Sequence, residues 1–272
     1  MLLVAALAGC GGCGKENRTL AGDRALRNGK YEKAANDYRA AAVDARSSTE
    51  AQALHVKAGD VFDHFVQKPD DAMREYRQAV AADPRTDAAF EARIKIAQLY
   101  EESFHDARRA IEEYHLAIAN HANAPGIDEV RFRVAKAYFG MGEYDQARVE
   151  FQSVLDSSPN SPRAPEAAFD IADSWMVEEN FKDAQKAYKS LLAAYPASDF
   201  APQAEFGLAR CLEETGKFEA ALQAYQAVVS RYPNPEVVKL RIDRLQSRRA
   251  ATRGGSPGSY AEHGSETEGG GD

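Results

Sequence analysis

The chain repeats itself about every 37 residues, and a period in that range builds stacked supersecondary units rather than one closed core. The register is clearest at Tyr144, Phe181 and Phe218, which stand 37 residues apart. Three residues after each comes an alanine (Ala147, Ala184, Ala221), and seven after comes an aromatic (Phe151, Tyr188, Tyr225). Fifteen after comes a proline (Pro159, Pro196, Pro233). Three earlier copies are degenerate: Tyr31 with Ala34 and Tyr38, Pro69 with Ala72, Tyr76 and Pro84, and Phe104 with Ala107 and Ile111. Arrays of such units bind and organise other molecules, so a scaffold is expected before an enzyme.

Inside one unit the apolar spacing is helical. Phe181, Ala184, Tyr188 and Leu191 step by 3, 4 and 3 and share one helix face, as do Ala168, Ile171, Ala172 and Trp175 before them. Between the two runs Glu178–Glu179–Asn180 breaks the pattern, as do Gly140–Met141–Gly142 and Thr215–Gly216–Lys217, where glycine suits a left-handed helix C-cap. The closing prolines stop the second helix, and Ser161 and Ser198 suit N-caps of the next. Each unit therefore reads helix A, tight turn, helix B, turn, with almost no strand. Ala135, Ala172 and Ala209 in helix A, and Ala147, Ala184 and Ala221 in helix B, form a small-residue seam that lets the axes approach. Tyr138, Trp175 and Leu212 are expected to fill the next layer.

With Ala172, Trp175, Ala184, Tyr188 and Pro196 at these spacings, the pattern resembles the tetratricopeptide repeat over roughly residues 20–233. It is strong in the last three units and weaker in the first three. Units one and three carry Arg46 and Ala119 where the closing proline belongs, and about three extra residues sit around Asn120–Asp128. Helix A of unit three reads about two residues short. The resemblance implies an all-α, right-handed superhelix of about six units, with helix A of each lining a concave face. Its groove positions fall at Glu129, Phe132, Lys136 and Phe139, then Glu166, Phe169, Asp173 and Met176, then Gln203, Phe206, Arg210 and Glu213. Phe132, Lys136, Phe169, Asp173, Phe206 and Arg210 are thus the candidate partner-binding residues. The three phenylalanines either anchor an extended peptide or amphipathic helix, or pack between neighbouring A helices. The Lys/Asn/Asn/Lys/Arg carboxylate clamp of chaperone-binding members is absent.

Residues 1–8 are apolar and lead into Leu7-Ala8-Gly9-Cys10. This resembles a bacterial lipobox, which implies a signal peptide over 1–9, removal of those residues and lipidation of Cys10, with 10–18 a short linker. No Lys or Arg precedes the run and the run is short, and a start codon placed too far downstream would explain both. Gly11 in place of Asp implies, by the same resemblance, the periplasmic face of the outer membrane. The stretch also contains Gly9-x-Gly11-x-x-Gly14-Lys15, but a P-loop needs Ser or Thr where Glu16 stands, and no β-α alternation follows. Cys10-Gly-Gly-Cys13 has no second ligand pair, so no metal and no cofactor are expected.

The net charge is −8, from 42 acidic and 34 basic residues, which argues against a nucleic-acid partner. The six histidines form no H-E-x-x-H, no serine sits in the strand–turn–helix context of a G-x-S-x-G elbow, and no catalytic residue is assigned. Cys211 reads as a small core residue. Val238, Ile242 and Leu245 with Lys239, Arg241, Arg244, Arg248 and Arg249 read as an amphipathic capping helix over 234–250. Its basic exterior is either a solvated face or a contact for lipid phosphate or an acidic partner. Residues 251–272 are Gly-, Ser- and Glu-rich and are expected to be disordered.

Behind a lipobox, units that end in Tyr-Pro or Ser-Pro and then Ser resemble two groups of envelope proteins. One is the BamD lipoproteins of outer-membrane β-barrel assembly, and the other the periplasmic coordinators of the Tol–Pal system and peptidoglycan synthesis. The resemblance implies a membrane-anchored periplasmic scaffold, first in outer-membrane protein assembly. The alternative is a Tol–Pal, cell-wall or pilotin-like secretion factor. Its partners would be envelope proteins or peptides.

Overall fold

Five of the six repeat-opening residues are the first residues of α-helices. A computed structural model describes residues 17–122 and 124–254, so Cys10 and the rest of the proposed signal and linker up to Glu16 lie outside the described residues. Helix pairs follow one another: α1 (Arg18–Arg27) and α2 (Tyr31–Val43), α3 (Ser48–Val61) and α4 (Pro69–Ala82), α5 (Asp87–Glu102) and α6 (Ala107–Asn120). Then come α7 (Ile127–Gly140) and α8 (Tyr144–Ser157), α9 (Ala164–Val177) and α10 (Phe181–Ala194), α11 (Ala201–Glu214) and α12 (Phe218–Val228), and finally α13 (Pro235–Gly254). A π-helical turn, Phe62–Val66, extends α3. The described residues contain no strand. They divide into two compact units after Ile171.

Unit three departs from the expected register. Asp106 accepts a hydrogen bond from the Arg109 amide at 3.1 Å and caps α6, so that helix starts at Ala107 and leaves Phe104 in the turn. Its helix A is not short: α5 has 16 residues, against 14 in α7, α9 and α11. The expected caps Ser161 and Ser198 also fail. Each lies three residues ahead of its helix; Ser161 holds the Arg163 amide at 3.1 Å and bonds Asp128, and the Ser198 hydroxyl is buried without a partner. Side-chain caps come from Asn17, Ser47 and Thr86 for α1, α3 and α5.

Every turn between helices A and B contains one residue at positive φ. Glycine fills it at Gly29, Gly142 and Gly216, but Gln67, His105 and Glu179 fill it in units two, three and five. The turn geometry is therefore common to all six units, and glycine marks only half of them.

The alanine seam is fully buried: Ala135, Ala172 and Ala209 in A helices, Ala34, Ala72, Ala110, Ala147, Ala184 and Ala221 in B helices. Beside it Tyr38, Tyr76, Tyr114, Phe151, Tyr188 and Tyr225 supply one buried ring per unit. Tyr138, Trp175 and Leu212 are half-buried. In the first two units the ring lies against a glycine of its own helix A: a Cβ on Gly22 would stand 2.7 Å from Tyr38, and one on Gly59 2.4 Å from Tyr76.

One ion cluster is buried in the first compact unit. Glu75 lies 2.6 Å from Arg39 Nε and 2.8 Å from His55 Nδ1, joining α2, α3 and α4. Burial works against its charge, yet the His55 and Arg39 bonds outweigh it and hold the carboxyl below its ordinary pKa.

In the second compact unit Val238 and Leu245 of α13 are buried against Leu222, Tyr225 and Val228, so this helix covers the last repeat as expected. It runs to Gly254, four residues beyond its expected end. Cys211 is buried with its Sγ 3.0 Å from Met176 Sδ, and burial pushes its thiol up to about 11.

Candidate functional site

The helix A face carries a polar ladder built from the buried tyrosines. Each Tyr Oη donates to an acid on helix A of its own unit: Tyr38 to Asp23 at 2.7 Å, and Tyr76 to Asp60, Tyr114 to Glu101 and Tyr225 to Glu213, each at 2.8 Å. Tyr188 is placed likewise against Asp173. Burial, reinforced by these carboxylates, raises the phenol pKa in all five. In the first compact unit the acid then meets a base on the next helix A. Asp23 lies 4.0 Å from Lys57, Asp60 2.8 Å from Lys95, and Glu101 3.6 Å from Arg133. At unit four the ring is Phe151, which needs no acceptor, and the polarity reverses: Lys136 stands at the acid's position and pairs with Asp170 at 3.0 Å.

This ladder decides what the candidate residues do. Phe132 is only 4% exposed. Its ring packs 5.6 Å from Phe151, with the Arg163 guanidinium 5.0 Å above it and Lys136 Nζ at 6.0 Å. Arg163 is itself held by Glu129, at 2.5 Å, and by Glu166. Lys136 is the outward element there, with its side chain 44% exposed. Phe139 is half-buried, edge-on to Tyr144 at 5.2 Å, and Phe169 is half-buried on α9.

In the second compact unit Asp173 is half-buried and committed to Tyr188, and Met176 is buried. Phe206 is 9% exposed and stacks on Tyr232 at 4.5 Å. Glu213 is held by Tyr225 and by Arg241 at 3.2 Å. Phe132 and Phe206 are therefore packing rings. Among the candidate helix A residues of this unit, unmet polar atoms lie beside Phe206, at Gln203 and Arg210. Gln203 Oε1 is a buried acceptor without a donor, and Arg210 Nε a buried donor without an acceptor. They stand seven residues apart and so share a face of α11. The tetratricopeptide resemblance placed both residues on this face, but that these two atoms go unmet is visible only once neighbouring helices are in place.

Among the described residues no group of His, Cys, Asp and Glu is arranged to hold a metal ion, and no helix is long and apolar enough to cross a membrane.

Residues 132–199 and 176–234 match the tetratricopeptide repeat. These are units four to six, where the repeat reads most clearly in the sequence. The described residues form an all-α fold of tetratricopeptide type. No curated protein matches the chain. Several solved structures share its fold. MamA superposes with a TM-score of 0.55 at 18% identity, over 67% of this chain and 92% of that one. PilW, a widely conserved type IV pilus biogenesis factor, superposes at 0.51 and 14% identity, over 84% and 96%. YrrB, a tetratricopeptide protein with an unusual peptide-binding site, superposes at 0.51 and 12%, over 72% and 91%. At such identities the likeness is one of fold. Tetratricopeptide repeats are protein-interaction scaffolds and generally not enzymes, and peptides and proteins are what they bind.

Proposed function

We propose that the chain is a lipid-anchored periplasmic scaffold that binds an extended segment of a partner protein along helix A of its last repeat. The observation that carries the binding site is the pair of unpaired buried atoms, Gln203 Oε1 and Arg210 Nε. Leaving such groups unmade costs on the order of 1–3 kcal/mol each, and a partner that supplies the missing bonds recovers it. Seven helical residues rise ~10 Å, and three residues of extended peptide span about the same distance. One peptide N–H to Gln203 and one C=O to Arg210 would fit that spacing once these half-buried side chains turn the two atoms outward. Lys136 and Phe169 stay candidate partner contacts of the first compact unit by themselves.

The anchor reading rests on Leu7-Ala8-Gly9-Cys10. Acyl chains on Cys10 would hold the array at the periplasmic face of the outer membrane, since each buried CH₂ contributes ~0.8 kcal/mol. The first pathway reading is outer-membrane protein assembly, by the resemblance to BamD lipoproteins. A second, a pilus or secretion assembly factor, is favoured by the fold shared with PilW over most of both chains.

Affinity capture from detergent-solubilised envelope tests both levels. The parent should retain its partner, Arg210→Ala should lose it, and Cys10→Ser should move the protein from membrane to soluble fractions. Barrel-assembly components in the eluate favour the first pathway, and a secretin or pilus component the second. Equal recovery with Arg210→Ala would remove the proposed site.

A further inference from the structure

Helix α13 is far more basic than the chain it caps. Lys239, Arg241, Arg244, Arg248, Arg249 and Arg253 stand against only Glu236 and Asp243, in a chain of net charge −8. Part of this charge is used inward or along the surface: Arg241 pairs with Glu213, Arg249 with Glu219 at 3.1 Å, and Lys239 with Glu236. Arg244 and Arg248 are exposed one helical turn apart on the same face. Arg248 is fixed over the Phe218 ring at 3.8 Å, which holds its guanidinium in place against a cavity of about 420 Å³ that it lines. Lys217, Glu219, Leu222, Leu245 and Arg249 also line this cavity.

The sequence beyond α13 has the opposite charge. Residues 255–272 contain Glu262, Glu266, Glu268 and Asp272 and no Lys or Arg. They begin with Gly255-Ser256-Pro257-Gly258, a composition that favours chain reversal. Eight residues from Gly254 to Glu262 reach up to ~26 Å. Along the helix, Arg248 lies only ~9 Å and Arg244 ~15 Å back from Gly254. The acids can therefore return over both arginines without strain.

We propose that the acidic segment 255–272 docks on the basic face of α13 around Arg244, Arg248 and the Lys217–Phe218 cavity, and shields that face from acidic partners. Tethering makes the contact intramolecular, with an effective concentration in the mM range, so individually weak exposed ion pairs suffice to populate it. No packed core is needed, which accords with the low apolar content of the segment. The contact is electrostatic and weakens with salt.

The test uses the full chain and a fluorescein-labelled synthetic peptide of residues 255–272, read by fluorescence anisotropy. A tail-neutral chain (Glu262→Gln, Glu266→Gln, Glu268→Gln, Asp272→Asn) should bind the peptide at least tenfold more tightly than the parent, because its own segment no longer competes. Adding Arg244→Glu and Arg248→Glu should abolish that binding, and Arg244→Gln alone should weaken it severalfold. Arg244→Gln should keep the parent's circular dichroism melting curve, since Arg244 is exposed, and its weakened binding keeps the test independent of the Arg248–Phe218 contact that the double reversal removes. Equal affinity of parent and tail-neutral chain for the peptide would overturn the proposal, as would binding that survives the double charge reversal. Phosphatidylglycerol vesicles provide the alternative occupant. If the tail-neutral chain binds them and not the peptide, the face belongs to lipid headgroups and the proposal fails.

Discussion

Gly59 on α3 lies so close to the Tyr76 ring on α4 that a Cβ there would meet it at 2.4 Å. This contact sets the spacing of the two helices in the second repeat, and Gly22 against Tyr38 does the same in the first. Tyr76 is fully buried and tied by its hydroxyl to Asp60, so the ring has nowhere to retreat. Gly59→Ala should cost at least ~1–3 kcal/mol, the range for overpacked cores. Urea unfolding followed by circular dichroism measures this, and an unchanged midpoint would contradict the packing described.

The non-glycine turn residues point the other way. Glu179 sits at φ 58 where units four and six have glycine. A left-handed conformation costs an L-residue roughly 1–2 kcal/mol, partly offset by the greater unfolded-state freedom of glycine. Glu179→Gly should therefore raise stability by about 0.5–1 kcal/mol. A lower melting temperature for this variant would mean that Glu179 makes a contact worth more than the strain.

The Glu75 cluster gives the fold an acid-sensitive joint. The folded carboxyl has a depressed pKa, so its contribution is present above the unfolded value near 4.5 and is lost as pH falls through the folded value. Glu75→Gln leaves Arg39 and His55 beside an uncharged amide and should cost ~3–5 kcal/mol at pH 7. The difference between variant and parent should shrink below pH ~4.5. Melting temperatures from pH 3 to 7 check this, and a gap independent of pH would contradict it.

Burial makes the Cys211 thiol a poor nucleophile, with its pKa pushed up to about 11. Native protein at pH 8 should leave Cys211 unmodified by iodoacetamide, and 8 M urea should expose it fully. Peptide mass spectrometry reads the site directly, and rapid native labelling would place the thiol outside the core.

The tyrosine layer was legible from the sequence because its residues recur at a fixed distance from the alanines. Tyr188, 1% exposed, should cost on the order of 3–5 kcal/mol when truncated to alanine, and Ala172→Leu ~1–3 kcal/mol by overpacking, both as loss of melting temperature.

Helix order, the six A–B pairs and the capping helix follow from periodicity, because a 3.6-residue pattern interrupted every 37 residues admits little else. Turn chemistry was half legible. Glycine announces a left-handed residue, whereas Gln67, His105 and Glu179 adopt it only because the flanking helices must turn. Ser161 and Ser198 looked like caps, but the helices start three residues later, and nothing in a one-residue propensity fixes that offset. At the candidate site, spacing put Phe132 and Phe206 on the helix A face without distinguishing groove from packing. Contact with Phe151 and with Tyr232 resolves both as packing. That Gln203 Oε1 and Arg210 Nε go unmet depends on neighbours from other helices, so no local pattern records it.

The measurement that bears most directly on the scaffold reading is site-specific photocrosslinking in intact cells. A photoreactive phenylalanine analogue replaces Gln203 in one strain and the exposed Val149 of α8 in another. A defined envelope protein should crosslink from position 203, not from 149, and Arg210→Ala should abolish the product. Crosslinks of equal yield from both positions, or a product at 203 that survives Arg210→Ala, would contradict a binding site on helix A of the last repeat.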